Sequence, residues 1–253
     1  MARHRQQYNT SGRRRRRSPL GRIVTFLVIC LVLFLGVTVF FRVNEIVIHG
    51  DTRYTDREVI DASGIEFGSH MLLLREDAAR AGILDSLPYA GLVEISRRFP
   101  SRIEITVTDT VAVAFVQTVE GYLLLDRGAR ILENASDRPT EGLILVQGLE
   151  TPILPREGQV LALGEDGRAQ LAYLQEILGT FWTLGLASQV SVLDMHDVYN
   201  PRFTYRERFT VLLGAHHNLQ NKLGMLVGIV DYLDEDEIGV IDLNPERPVF
   251  RAE

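Results

Sequence analysis

Hydrophobic positions along this chain fall into three patterns. From Ile23 to Phe41 nineteen residues run without a charge. Wound as a helix they are apolar on every side, and at about 1.5 Å per residue they reach about 28 Å, close to the hydrocarbon thickness of a bilayer. Further along, Ile103, Ile105 and Val107 alternate with Glu104, Thr106 and Thr108, the period of a strand with one buried face. Leu171, Leu174, Leu178 and Phe181 recur at helical spacing within Asp166–Leu186, as do Leu219, Leu223, Leu226 and Val230 within Asn218–Leu233.

The first pattern predicts a transmembrane helix over 23–41. A secretory signal has a shorter apolar stretch and a small-x-small cleavage site; Thr38-Val39-Phe40-Phe41-Arg42 offers bulky residues instead. A buried core helix would carry a polar face, and this segment has none. Charge orients the span. Eight of the 27 Lys and Arg and none of the 33 acids precede residue 42, so residues 1–22 form a basic cytoplasmic tail and residues 42–253 lie outside. The exported part is acidic, which argues against a nucleic-acid surface there. The run Arg13–Arg17 is accounted for as a topology signal on the anionic inner leaflet.

Shorter signals divide the rest. Val43–His49 reads as a strand ending at Gly50-Asp51, and Thr55-x-x-Glu58 as a capping box opening a short helix that stops near Gly64. A second helix fits Arg75–Leu87, closed by Pro88, and strands follow at Leu92–Phe99 and Arg102–Thr108. The order β-α-α-β-β occupies residues 42–110. Beyond it, residues 111–253 predict a larger α+β unit with a mixed or antiparallel sheet. Its strands are expected at Ala112–Val119, Tyr122–Leu125, Arg130–Leu132, Leu143–Val146, Val190–Met195, Arg202–Tyr205, Arg208–Leu213, Gly239–Leu243 and Pro248–Arg251.

Chemistry is sparse. The one cysteine, Cys30, lies in the apolar run, so the exported part can form no disulfide, thiolate metal site or cysteine nucleophile. Phosphate-binding glycine loops, Gly-x-Ser-x-Gly and His-Glu-x-x-His are absent. Asp194-Met195-His196-Asp197 with His216-His217 is the nearest approach to a metal cluster; the solvated reading, with His216-His217 in water at a helix N-terminus, is preferred. His49 and His70 read as surface or turn residues, Asp231–Glu237 as a solvated loop, and Asn134-Ala135-Ser136 as an incidental sequon. No enzyme activity, metal or cofactor is expected.

The arrangement resembles the FtsQ/DivIB bacterial cell-division proteins, and the β-α-α-β-β module a POTRA (polypeptide-transport-associated) domain. The residues carrying the match are Val47–Gly50, Gly68–Leu74 and above all Ile95–Val107, then Leu125–Gly128, Leu145–Gly148 and Val240–Leu243. Where the family commonly has Glu-Arg-x-Pro-x-Ala between its domains, this chain has Asp109-Thr110-Val111-Ala112-Val113-Ala114. The resemblance implies a non-enzymatic, single-pass scaffold at the division septum, with no nucleic-acid partner. A POTRA-bearing transport or outer-membrane-assembly factor is the alternative, though neither a β-barrel nor repeated modules follow here. A membrane-anchored enzyme is a third reading, unsupported by motifs.

What remains is surface for partners. Pro248 lacks a ladder donor and so marks an edge strand. Such an edge either receives another chain, with Val249 and Phe250 supplying choice, or is blunted against pairing by Arg247, Pro248 and Arg251. The residues leave these two readings open. The resemblance implies that this end of the second unit receives small coiled-coil proteins of the FtsB/DivIC and FtsL type, with septal wall synthases as further partners.

Overall fold

The computed structural model describes residues 19–139, 142–149, 155–164, 167–234, 236–244 and 248–252, with positions 19–22 and 37–39 described for backbone alone. Helix α1 runs Pro19–Phe40. Its described side chains, 23–36 and Phe40, are exposed. Among the described residues no helix is long and apolar enough to cross a membrane.

After α1 come β1 (Glu45–His49), α2 (Asp56–Ser63), a 3-10 turn (Met71–Leu73), α3 (Glu76–Ser86), β2 (Ala90–Arg98) and β3 (Arg102–Asp109). Their sheet has the order β1-β3-β2. β2 and β3 form an antiparallel hairpin, whereas β1 lies parallel to β3. A parallel partner needs a crossover, and α2 and α3 provide it. The expected capping box opens α2: Glu58 N–H donates to the Thr55 hydroxyl at 3.4 Å, and Thr55 N–H to the Glu58 carboxylate at 2.8 Å. Gly64, at φ 64°, ends the helix in a conformation that a Cβ would penalise. Ile103, Ile105 and Val107 are all fully buried against Val59, Ala79 and Ile83 in a small core. That is the inward face the alternation predicts.

The second unit contains β4 (Ala114–Gln117), β5 (Tyr122–Leu125), β6 (Ile131–Ala135), β7 (Ile144–Gln147), α4 (Arg168–Thr183), β8 (Val190–Asp194), β9 (Arg202–Tyr205), β10 (Phe209–Leu212), α5 (Leu219–Val230), β11 (Gly239–Asp242) and β12 (Val249–Ala252). They build a mixed sheet in the order β12-β11-β10-β9-β8-β7-β4-β5-β6. Parallel joins occur at β4/β7, β7/β8 and β10/β11; α4 and α5 carry the second and third across. Alternate residues of each strand (Ala114 and Val116, Ile144 and Val146, Phe203 and Tyr205, Phe209 and Val211) join Leu174, Phe181, Leu223 and Leu226 of the helices in one core. α4 stops three residues earlier than expected, ahead of Gly185 at φ 68°.

Arg130, expected to open a strand, makes only an isolated bridge to Val160, and β6 begins at Ile131. Its backbone is taken up by the turn before it: Arg130 N–H donates to the Asp126 carboxylate at 2.9 Å, and Arg130 O accepts from Asp126 N–H at 3.0 Å. Its side chain reaches toward the first unit. The guanidinium donates from Nε to Gly158 O at 2.7 Å, and from Nη1 to Ala90 O at 2.5 Å. Nη2 donates to Leu84 O and to Leu87 O, the latter at 3.1 Å. Leu84 and Leu87 close α3, so a cation sits on the negative end of that helix. Burial pushes the Arg130 pKa down, with Asp126 opposing. Tyr89 adds a bond to Glu133 at 2.9 Å. Gly158, at φ 84°, passes so close that a Cβ there would meet Asp85 O at 2.5 Å. These contacts hold the two units together beside the connecting segment Asp109–Ala114. Within that segment Asp109 is fixed by Thr52 at 2.7 Å and Arg53 at 3.1 Å.

Candidate partner-binding edge

The nine-stranded sheet has two ends of different character. At one end, the first residue of β6 is bonded to the segment beside it: Ile131 N–H donates to Gln159 O at 2.9 Å, and Gly158 N–H to Ile131 O at 2.8 Å. At the other end lies β12, with Pro248 immediately before it. β12 runs antiparallel to β11, pairing Asp242 with Val249, Ile241 with Phe250, Val240 with Arg251 and Gly239 with Ala252. In an antiparallel edge strand every second residue turns its N–H and C=O away from its neighbour. β12 therefore offers main-chain donors and acceptors along its free side.

The side chains of β12 divide by face. Val249 is 42% exposed and Arg251 is exposed. Phe250 turns inward, its ring edge-on to that of Phe209 at 6.1 Å between centroids. Of the two residues expected to supply choice, Val249 and Phe250, the second is half-buried, because consecutive strand residues point to opposite faces. Gly239, two residues along β11 from Phe250's partner, leaves room for that ring, since a Cβ there would run into Phe250 and the Arg251 carbonyl. Arg247 lies outside the described residues.

Several polar groups elsewhere are engaged with one another. Asp194 accepts from His196 N–H at 3.0 Å and pairs with His196 Nδ1 at 2.6 Å through one oxygen. Its other oxygen accepts from Arg202 at 2.9 and 2.8 Å. Burial alone would raise its pKa, but the His196 bonds and the Arg202 guanidinium outweigh it and hold the carboxyl at about 2. His216 is exposed, as the solvated reading expects, and also reaches α4. Its Nε2 lies 2.5 Å from the Glu176 carboxylate and its ring 4.6 Å from that of Tyr173. Tyr173 donates to Gly214 O at 3.0 Å, and burial pushes its hydroxyl up to about 12. Lys222 is buried with Nζ on Leu213 O at 2.8 Å and Ala215 O at 3.1 Å; burial lowers its pKa. Within Asp231–Glu237, Arg208 donates to the carbonyls of Asp234 and Glu237.

Among the described residues no group of three His, Cys, Asp or Glu could hold a metal ion. An open cleft of about 740 Å³ lies beside Gln117, Val119, Glu120, Gln147 and His196. None of these side chains forms the bonded nucleophile and base that covalent catalysis needs.

The chain thus has a three-stranded β-α-α-β-β unit followed by a broad mixed sheet whose last strand, β12, has no further strand beside it among the described residues. Residues 41–109 match the model of the POTRA domain, FtsQ-type. The chain is 28% identical to the cell division protein FtsQ of Anaeromyxobacter sp. (strain K) over 77% of its own length and 64% of that protein's. It is 24% identical to the cell division protein DivIB of Clostridium botulinum over 95% and 94% of the two chains. It is 29% identical to the FtsQ of Corynebacterium glutamicum over 61% and 70%. The resemblance to FtsQ/DivIB bacterial cell-division proteins is borne out: the chain carries an FtsQ-type POTRA domain and is similar to FtsQ and DivIB proteins beyond it.

Proposed function

We propose that this chain is a non-enzymatic scaffold of the bacterial division machinery. It is anchored by a single span at 23–41 with its N-terminus in the cytoplasm and residues 42–253 outside. There it gathers small coiled-coil division proteins of the FtsB/DivIC and FtsL type, and through them supports septal wall synthases. The observation that carries the reading is the edge of β12, which has no further strand beside it among the described residues. An incoming strand extends the sheet there, main-chain bonds supply affinity, and Val249 and Arg251 supply choice. The similarity to proteins named for cell division supports the setting, and the eight arginines before the apolar run support the orientation.

Fluorescent fusion with depletion tests the role: the protein gathers at the septum and depleted cells filament. A uniform envelope signal and normal division would contradict it. Cysteines introduced at Ser11 and Ser136 in a Cys30→Ala background test the orientation. In intact cells only Ser136→Cys reacts with an impermeant thiol reagent, and reaction only at Ser11→Cys would reverse the topology.

A further inference from the structure

The chain leaving α1 passes between two loops of the first unit and is bonded to both. On one side Met71 N–H donates to Phe41 O at 2.9 Å, Gly68 N–H to Val43 O at 2.7 Å and Val43 N–H to Ser69 O at 3.0 Å. On the other, Asn44 N–H donates to Ser101 O at 2.9 Å, and the Phe41 ring meets that of Phe99 edge-on at 5.8 Å. Both loops are therefore fixed at the level where the anchor ends.

Each loop turns large apolar side chains into the open. Phe67 is 62% exposed, Leu73 79% and Phe99 60%, with Leu72 at 45%. The 3-10 turn explains the division within Met71–Leu74. At three residues per turn Met71 and Leu74 share the inward side, and Leu72 and Leu73 are left facing out. The core does not use these outward groups, and an apolar patch without a folding role marks a contact surface. Two of its charged neighbours are paired with acids, Arg98 with Glu104 at 2.8 Å and Arg102 with Glu45 at 2.9 Å. Contact there rests on apolar insertion rather than on charge.

We propose that these two loops rest on the outer face of the membrane that the anchor crosses. Phe67, Leu72, Leu73 and Phe99 enter the boundary between headgroups and acyl chains, as apolar faces of interfacial segments do. The occupant is lipid because the patch is continuous with the anchor: the bonds to residues 41–44 leave it no freedom to move away from the end of α1. The first unit is thereby seated on the bilayer at a fixed height, and its orientation is set by two contacts besides the tether. This inference rests on the membrane-anchor reading above.

The test uses the full chain in vesicles of phosphatidylcholine and phosphatidylglycerol brominated either near the headgroups or near the chain ends. Trp182 is the single tryptophan, so Trp182→Phe gives a silent background for Leu73→Trp, Phe34→Trp and Val119→Trp. Val119, fully exposed in the second unit, is the control. Leu73→Trp is expected to lose roughly half its emission to the shallow bromines, as an interfacial side chain would, with no recovery in high salt. Phe34→Trp is quenched by the deep bromines, and Val119→Trp by neither. Quenching of Phe34→Trp without quenching of Leu73→Trp would overturn the seating while leaving the anchor intact. Absence of quenching at Phe34→Trp would overturn the anchor reading itself. Recovery of Leu73→Trp emission in salt, or equal quenching at Val119→Trp, would overturn apolar insertion at this patch.

Discussion

Arg130 and Leu87 belong to different units of the molecule, yet Nη2 of the first donates to the carbonyl oxygen of the second at 3.1 Å. Ala90 and Leu84 share the same guanidinium, so one side chain satisfies three carbonyls around the end of α3. Arg130→Met keeps the aliphatic stem and strands those acceptors. Breaking a buried charged hydrogen-bond set of this kind costs roughly 2–4 kcal/mol. Thermal unfolding of the variant is expected to begin at lower temperature, with the distance between spin labels on the two units broadened. A distribution as narrow as the parent's would show that Arg130 does not hold the units together.

Ile105 is fully buried at the centre of the first sheet, paired with Ile48 on one side and Ile95 on the other. Ile105→Asp places a carboxylate where no partner waits, and the small core cannot absorb a cost of roughly 4 kcal/mol or more. Loss of the amide dispersion of residues 45–109 in a two-dimensional NMR spectrum is the expected result. Retention of the parent spectrum would mean that the strand's inward face has been misassigned.

Asp194 makes stability depend on acid. Its folded pKa, about 2, lies below the ordinary 3.8, so the stabilisation is fully present above pH 4 and disappears as pH falls through 2. The shift corresponds to roughly 2 kcal/mol. Urea unfolding at pH 6 and pH 2 should therefore show a larger acid loss for the parent chain than for Asp194→Asn. Equal losses would remove Asp194 as the source.

These residues also show what could be read in advance. The capping box of Thr55 and Glu58, and the alternation of Ile103, Ile105 and Val107, are local: three or four neighbouring residues settle them. Pro248 likewise announces an edge by itself, because it lacks a donor. Arg130 could not be found this way. Its partners in the first unit lie 40 to 46 residues away, and the sequence just before it, Asp126-Arg127-Gly128, reads as an ordinary turn. The neighbours of Phe250 and of the exposed His216 are hidden for a related reason: Phe209, Tyr173 and Glu176 are brought near only by the folded sheet and α4.

The central claim is that a partner strand adds to β12. Truncating the C-terminus would test it poorly, because Phe250 belongs partly to the core and its loss lowers stability. Amide hydrogen exchange measures the edge without altering it. With the full chain in nanodiscs and an FtsB/DivIC-type partner added, peptides covering 248–252 are predicted to exchange on the order of tenfold more slowly, as outward amides gain acceptors. Peptides covering β6, at the other end of the sheet, should not change. A partner that co-purifies with the chain yet leaves exchange at 248–252 unaltered would contradict the assignment of β12 as its site.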